Sequence, residues 1–324
     1  MGRDRSFLGV VKDLCQRDKA KHTGAQGTRA KREGILADFA RKIEKEFGLR
    51  RAENLKPKHI VYVVAEWKKE GYRVGTLQNK MSSVRYLCRE ILHKAEIVPT
   101  NKELEIGKRT TNYNSDKGWT PSKELLSEVP QYANLHLRLM RELGLRFEEA
   151  LKFRPEENVQ SDGRIHIHYG TKGDRDRDIK VSDENRGYAR DLDLASDRQK
   201  QLISELSAYL KSMGAQSISL GLKDKYVQSK NHMYYIYSRH GITKEDGNRT
   251  PHGLRHQYAQ DRYHEMTGLK PPCWFNTQEE RREYRATWSK EQSEMDLKAR
   301  QLVSNELGHN RLNVVKNYIG TWGR

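Results

Sequence analysis

The sequence is poor in the features that mark membrane, secreted and disulfide-bonded proteins. It holds only three cysteines, Cys15, Cys88 and Cys273, which lie far apart and form no CxxC pair. This spacing argues against a disulfide scaffold and against a cysteine-based zinc site. No segment approaches the roughly 20 apolar residues that a membrane-spanning helix requires, and the basic N-terminus leads into no apolar signal sequence. We therefore expect a soluble protein of the reducing cytoplasm.

Acidic residues are also scarce relative to basic ones. The 324 residues include 61 Lys and Arg but 44 Asp and Glu, which gives a formal net charge of +17. A surplus of this size favours polyanionic partners, with nucleic acid ahead of an anionic membrane surface. The surplus is concentrated in residues 1–118, where 27 basic residues accompany 15 acidic ones. The alternative interpretation is a solvated basic surface without such a partner.

The distribution of apolar residues predicts two domains. In residues 1–105 they recur at helical spacing, which predicts a helical domain with basic outer faces. Residues 106–118 are polar, lack an apolar period and predict a linker. Residues 119–324 predict a mixed domain of helices around one small antiparallel β-sheet, formed by alternating apolar residues at 165–169 and 179–181. The predicted fold class is therefore mainly α with a small β-sheet.

Four short patterns in the second domain combine arginine, lysine, histidine and tyrosine. Taken singly, each has an ordinary interpretation: a salt bridge, a solvated turn, a surface pair or a packed aromatic ring. Their order along the chain makes them informative together. The set comprises Arg146 and Glu149 in GLRFEE, Lys172 in TKGDRDR, His252 and Arg255 in HGLR, His309 in LGH, and Tyr318 nine residues after His309.

In order and spacing these patterns resemble the tyrosine recombinase, or phage-type integrase, family. Its catalytic domain carries G-[LM]-R-x-x-E, a hairpin lysine, H-x-x-R, and L-G-H with a tyrosine nine residues later. The resemblance implies a site-specific DNA recombinase that cleaves and rejoins DNA through a 3′-phosphotyrosine intermediate and integrates or excises a mobile element. It also implies double-stranded DNA as partner, dimers to tetramers on that DNA, accessory DNA-bending or directionality proteins, a nucleoid location and no membrane.

The resemblance implies that three residues hold the scissile phosphate. Arg146 and Arg255 would bind it, because a guanidinium stays charged and grips phosphate in a bidentate manner. His309 would donate a hydrogen bond to a non-bridging oxygen, and Glu149 would support Arg146. Fixed donors aimed at developing charge are usually the largest catalytic contribution. Thr250 and Pro251 are suited to cap and begin a helix at this site.

Three further roles concern covalent chemistry and proton transfer. The resemblance makes Tyr318 the nucleophile, His252 the group that handles its proton, and Lys172 the general acid for the leaving 5′-oxygen. Because the phosphotyrosine would keep the energy of the broken phosphodiester bond, the reaction requires no cofactor, ATP or metal. Consistent with this, the sequence has no Walker-type glycine loop. His166 and His168 alternate on the predicted strand and could bind zinc with a third ligand, although solvated or base-stacking histidines are favoured.

Other functions stay open at this point. A resolvase or topoisomerase-like enzyme would share the same chemistry, and a non-catalytic DNA-binding regulator could share the fold. A metal-dependent nuclease is a third alternative, which sensitivity to EDTA would reveal. The complete set of residues for phosphoryl transfer argues against the regulator, since a binding protein has no use for it.

The stretch between two of the patterns is longer than the family usually has. Arg255 and His309 are 54 residues apart, about twice the usual spacing, which predicts an insertion near residues 263–300 with a charged helix from Glu279 to Lys298. It would contact DNA or a neighbouring protomer, or form a surface excursion. Many members of the family carry a longer tail after the tyrosine that packs on the next protomer, and Ile319 and Trp322 could dock in a reduced version of that interface.

Overall fold

The computed structural model describes residues 6–20, 26–160, 165–167, 169–170, 177–179, 197–223, 225–309 and 311–323. The chain divides into two compact units, residues 1–111 and 112–324. The boundary lies within the segment 106–118, and residues of its second half pack against the second unit. For example, Asp116 accepts a hydrogen bond from Gln260 Nε2 at 2.8 Å.

The first unit is a set of helices around its own apolar core. Pro57 opens one of these helices, where its missing N–H costs no hydrogen bond. Apolar residues at helical spacing bury one face of this helix, including Trp67. The indole N–H of Trp67 and the ammonium of Lys80 both donate to Asp38, at 2.7 and 3.0 Å, so these inner polar groups are paired. The helices are α1 (Phe7–Ala20), α2 (Gln26–Phe47), α3 (Pro57–Lys69) and α4 (Val74–Tyr86), which a π-helical turn at Leu87–Ile91 extends.

The second unit is also helical, and its long helix α12 is packed on both sides. One side faces α6, and the other faces α14 and α15. Two apolar clusters result, one of them formed by α12, α14 and α15. The helices are α5 (Lys123–Glu128), α6 (Gln131–Glu142), α7 (Phe147–Lys152), α8 (Pro155–Asn158), α9 (Asp197–Ser212), α10 (Ile218–Leu222), α11 (Tyr226–Arg239), α12 (Pro251–Thr267), α13 (Gln278–Ala286), α14 (Lys290–Glu306) and α15 (Leu312–Ile319).

Strand structure is slight in the part of the chain that the structure describes. Strands β1 (Ile165–Ile167) and β2 (Arg177–Ile179) pair antiparallel, with Ile165 opposite Ile179. The prediction of a mainly helical chain is confirmed, whereas the predicted small sheet is represented there by this short ladder alone. None of the described helices is both long and apolar enough to cross a lipid bilayer.

The stretch predicted as an insertion contains two helices instead of one charged helix. The prediction of a single helix from Glu279 to Lys298 is wrong, because the chain breaks between α13 and α14. The hydroxyl of Ser289 accepts from Gln292 N at 3.2 Å and caps α14, which stops α13 from continuing. Asp296 and Arg300 are charged but buried, at 7% and 9% exposure. The ion pair between them compensates for the buried charges.

Candidate active site

The start of α12 places two of the predicted residues on one helical face. The hydroxyl of Thr250 accepts a hydrogen bond from Gly253 N at 3.2 Å, and Pro251 occupies the first helical position, so the predicted cap is confirmed. His252 and Arg255 follow three residues apart and therefore lie on the same side of the helix. His252 is exposed, whereas Arg255 is fully buried.

Arg255 lies at the centre of the site and contacts most of its other members. Its two terminal nitrogens donate to the carbonyl oxygens of Gly144 and Leu307, and its Nε lies 3.4 Å from the Tyr318 hydroxyl. The Glu149 carboxylate lies 3.8 Å from the same guanidinium and balances its charge. A buried charge is tolerated only when it is paired and hydrogen-bonded, and both conditions hold here.

Two chain turns supply the carbonyl groups that hold Arg255. Gly144 follows α6 with a φ of +62°, and a Cβ at this position would collide with the ring of Tyr258. Glycine is therefore required for the turn that aims its carbonyl at Arg255. The second turn follows α14, where the carbonyl of Leu307 accepts from Arg146 Nη2 at 3.1 Å as well as from Arg255. Carbonyls at a helix end lack partners within the helix and are free to accept such donors.

Arg146 is fixed at the start of α7 by the acid three residues later. The two oxygens of Glu149 accept from the backbone N–H of Arg146, at 2.7 Å, and from its side chain. This carboxylate is fully buried and also faces Arg255. It thereby holds two guanidinium groups beside each other against their mutual repulsion. Such an adjacent pair of cations is suited to bind a phosphate group.

The hydroxyl of Tyr318 is held between two polar side chains. It lies 3.2 Å from His309 Nε2 and 3.4 Å from Arg255 Nε. The phenol ring is 7% exposed and packs against the imidazole of His256, with centroids 4.8 Å apart. His252 is farther away, its ring centroid 5.7 Å from that of Tyr318. The hydroxyl therefore lies next to the guanidinium of Arg255.

The electrostatic environment keeps two imidazoles neutral. Partial desolvation and the cations Arg255, Arg146 and Lys117 lower the pKa of His252 to about 4. His252 is exposed on one side, and its ring lies 5.0 Å from that of His256 between centroids. Burial lowers the pKa of His256 to about 3, and the neighbouring His252 and Lys117 contribute. Both rings are therefore unprotonated near neutral pH.

The structure brings together six of the seven residues singled out from the sequence. They are Arg146, Glu149, His252, Arg255, His309 and Tyr318. Lys172 lies outside the described residues, as does His168 of the histidine pair considered for zinc. Among the residues that are described, no group of His, Cys, Asp and Glu is arranged to hold a metal ion.

Sequence reasoning missed two features of the site. One is His256, which lies next to Arg255 in the motif but had been given no role. Its contact with Tyr318 follows from helical spacing, because it is one turn beyond His252. The other is the carbonyl of Leu307, which two arginines share. No side-chain signal could have shown it, since every residue carries a carbonyl group.

Replacing Glu149 with glutamine is expected to destabilise the second unit. The change removes the negative charge between two guanidinium groups, and breaking a buried ion pair costs about 3–5 kcal/mol. Urea denaturation would measure the free energy of unfolding. The matched control is Glu148→Gln, because Glu148 forms a half-exposed ion pair with Lys152 and such pairs contribute at most about 1 kcal/mol. Equal stability of the two variants would contradict the assigned role of Glu149.

Comparison with protein-family models gives two matches along the chain. Residues 11–95 match a model described as phage integrase, N-terminal, and residues 124–261 match one described as integrase. The two matches fall in the two structural units, one in each. Among curated protein sequences, none matches this chain significantly.

Comparison with solved structures finds recombinases of the same overall fold. A lambda integrase dimer bound to a COC′ core site is 12% identical with a TM-score of 0.56, over 97% of this chain and 78% of that one. The XerH site-specific recombinase bound to palindromic difH substrate is 17% identical with a TM-score of 0.53, over 96% and 80%. The Tn1549 transposon integrase with transposon right-end DNA is 13% identical with a TM-score of 0.52, over 95% and 94%.

Proposed function

Because this chain belongs to the tyrosine recombinase, or phage-type integrase, family, we propose that its clustered arginine, histidine and tyrosine side chains catalyse DNA strand exchange. Members of this family are enzymes that cleave and rejoin DNA at specific sites, and this chain is one of them. The proposal adds that the enzyme integrates or excises a mobile element. The observation that carries the proposed catalysis is the position of the Tyr318 hydroxyl, between Arg255 Nε and His309 Nε2.

The proposed reaction is attack by the Tyr318 oxygen on a DNA phosphorus atom. The new bond forms a 3′-phosphotyrosine, the bond to the 5′-oxygen breaks, and a free 5′-hydroxyl leaves. Arg146 and Arg255 bind the phosphate and stabilise the charge that gathers on its non-bridging oxygens. Rejoining reverses these steps with a 5′-hydroxyl of the partner strand. The bond energy is kept in the phosphotyrosine, so no ATP is consumed.

Proton transfer is assigned to three groups. His309 orients the Tyr318 hydroxyl in the resting site and then donates to a phosphate oxygen. His252, which is neutral because its pKa is about 4, accepts the proton of the phenol. Lys172 protonates the leaving 5′-oxygen, and this assignment rests on the family resemblance.

The proposed partner is double-stranded DNA, bound by both units of the chain. Residues 1–105 would serve as the core-binding domain and residues 119–324 as the catalytic domain, joined by 106–118. Basic side chains exposed on the first unit would contact phosphates and position the protein. Among them are Lys31, Arg41, Lys45, Arg50 and Arg51. Assembly into dimers and tetramers on DNA, with accessory proteins, at the nucleoid, completes the proposal.

The experiment that tests this function traps the covalent intermediate. Nicked duplexes that carry DNA from beside the gene are incubated with the protein in EDTA, denatured in SDS and separated on a gel. In a nicked duplex the 5′-hydroxyl fragment diffuses away after cleavage, so the adduct accumulates. A slow, protease-sensitive band supports the recombinase. Tight DNA binding without a band, also after addition of cell extract, would favour a non-catalytic regulator.

The low pKa of His252 predicts an unusual pH profile for adduct formation. Because the pKa is about 4, the imidazole stays neutral from neutral pH down to about pH 5, and the single-turnover rate constant should be nearly constant over that range. The rate should fall only as the pH approaches 4. The same residue also makes folding depend on pH. In the unfolded chain His252 binds a proton at the ordinary histidine pKa, whereas in the folded protein it does so only near pH 4. The free energy of unfolding therefore falls as the pH drops below the ordinary value.

The control for this profile is His252→Gln, which should react more slowly and lose the acidic limb. DNA affinity measured at each pH separates binding from chemistry. A tenfold fall in the wild-type rate constant between pH 7 and pH 5.5 would show an ordinary histidine pKa and contradict the assignment.

A further inference from the structure

The segment between α12 and the LGH motif packs against the residues that follow the nucleophile. We call Gly320–Trp322 the tail, and we call the groups that contact it, from residues 272–300 and from Asn114, the socket. The tail begins two residues after Tyr318. In the structure Trp322 is 7% exposed and packs within its own chain. The socket lies in the stretch that the sequence predicted as an insertion, for which no role has been assigned.

The first part of the socket is a group of aromatic rings around Trp322. The indole lies edge-to-face with Trp288, at 4.8 Å between centroids, and is stacked with Tyr284 at 6.0 Å. Phe275 closes the group, with its centroid also 6.0 Å from that of Trp322. Aromatic pairs in such geometries attract each other beyond the burial of their surface. The rings come from the turn after α12, from α13 and from the link to α14.

The second part of the socket is a buried carboxylate that orients the indole. Asp296 accepts a hydrogen bond from Trp322 Nε1 at 3.0 Å and another from the Tyr263 hydroxyl at 2.6 Å. Arg300 neutralises this carboxylate from one turn further along α14, with its Nε 2.9 Å from Oδ1. The same guanidinium donates to the carbonyl of Gly320 at 3.0 Å. One ion pair therefore holds both ends of the tail.

The third part of the socket fixes the tail backbone. Gly320 has a φ of +86°, and a Cβ there would crowd Asn114 Oδ1 and the backbone nitrogen of Cys273, at 2.7 and 2.8 Å. The same oxygen of Asn114 accepts from Thr321 N at 2.7 Å. The tail is thus clamped by side-chain and main-chain contacts on several sides. Ile319 alone separates it from Tyr318.

Together these contacts lead to one inference, which rests on the proposed function. We propose that the socket positions the nucleophile of its own protomer, with Trp322 and Asp296 as positioning residues. The tail anchors the end of α15, and the anchored helix sets where the Tyr318 hydroxyl lies relative to Arg255. The inserted segment 263–300 thereby has a role in catalysis without touching the phosphate.

The test compares the rate constant of adduct formation with its amplitude. Trp322→Ala removes both the indole that packs against the aromatic rings of the socket and its hydrogen bond to Asp296. Misplacing a reacting group by about 1 Å can cost about 100-fold in rate, so we expect a loss of that order with nearly full amplitude and unchanged DNA affinity. Trp322→Phe keeps the ring and loses one hydrogen bond, so we expect about a fivefold loss. The matched control is Leu297→Ala, which lies next to Asp296 but is 56% exposed.

The outcomes distinguish positioning from simple stability. A merely structural role would leave the rate constant of the folded fraction unchanged and lower the amplitude, and that result would overturn the proposal. An equal loss in Trp322→Ala and Leu297→Ala would overturn it as well. If wild type forms no adduct, the proposed function fails. The socket is then judged by amide hydrogen exchange of residues 315–322 without DNA, which Trp322→Ala must accelerate and Leu297→Ala must not.

Discussion

Replacing Tyr318 with phenylalanine is expected to abolish the covalent DNA adduct and to leave DNA affinity nearly unchanged. The change removes one oxygen atom, which lies 3.2 Å from His309 Nε2 and 3.4 Å from Arg255 Nε. The ring and its packing against His256 remain, so the fold and the DNA contacts should persist. A group that acts only in the transition state affects the chemical step and not binding. Gel shift and the trapping assay measure the two effects on the same samples.

The control for this prediction is another tyrosine that keeps its ring. Tyr132→Phe removes a hydroxyl that lies 2.8 Å from His232 Nε2 and belongs neither to the candidate active site nor to the socket. Its adduct yield should match wild type. An adduct that survives Tyr318→Phe would move the nucleophile elsewhere, with Tyr263 and Tyr284 as the next suspects.

Replacing Arg255 with lysine is expected to lower the rate constant of adduct formation by about 1,000-fold, the upper range for losing an oriented donor to a transition-state oxygen. Lysine keeps the charge but is a point donor. It cannot reach the carbonyls of Gly144 and Leu307 and the Tyr318 hydroxyl together, as the planar guanidinium does. Single-turnover kinetics on a nicked duplex measures the loss, after circular dichroism has shown that the variant is folded.

Arg262→Lys is the matched control for Arg255→Lys. Arg262 lies on the same helix, is 7% exposed and pairs with Glu306 at 3.0 Å. We expect this control to lose stability and to retain its rate constant. Rate constants within tenfold of each other for the two variants would show that Arg255 has only a structural role.

The order of the motifs was sufficient to predict which side chains meet. Six of the seven residues singled out form one site, because GLR, HGLR and LGH each place a turn or a helix start where α6, α12 and α14 converge. The reason for the glycine in the first motif became clear only in the structure. Gly144 must adopt a positive φ beside the ring of Tyr258, and its carbonyl then holds Arg255.

Other features could not be predicted from residue types alone. The many charged residues from Glu279 to Lys298 predict a charged surface helix. In the structure Asp296 is buried and accepts hydrogen bonds from Trp322 and Tyr263. Such pairing depends on residues 26 and 33 positions away, and no local pattern reports it. The same holds for main-chain acceptors such as the carbonyl of Leu307.

The most direct test of the recombinase mechanism is to locate the DNA attachment by mass spectrometry. The trapped complex is digested with nuclease and trypsin, which should release residues 317–324 as one peptide, because Lys316 precedes them and Arg324 ends them. We predict that this peptide carries a nucleotide linked through its 3′-phosphate to Tyr318. A nucleotide on any other peptide, or a trapped complex whose protein is unmodified, would contradict the mechanism.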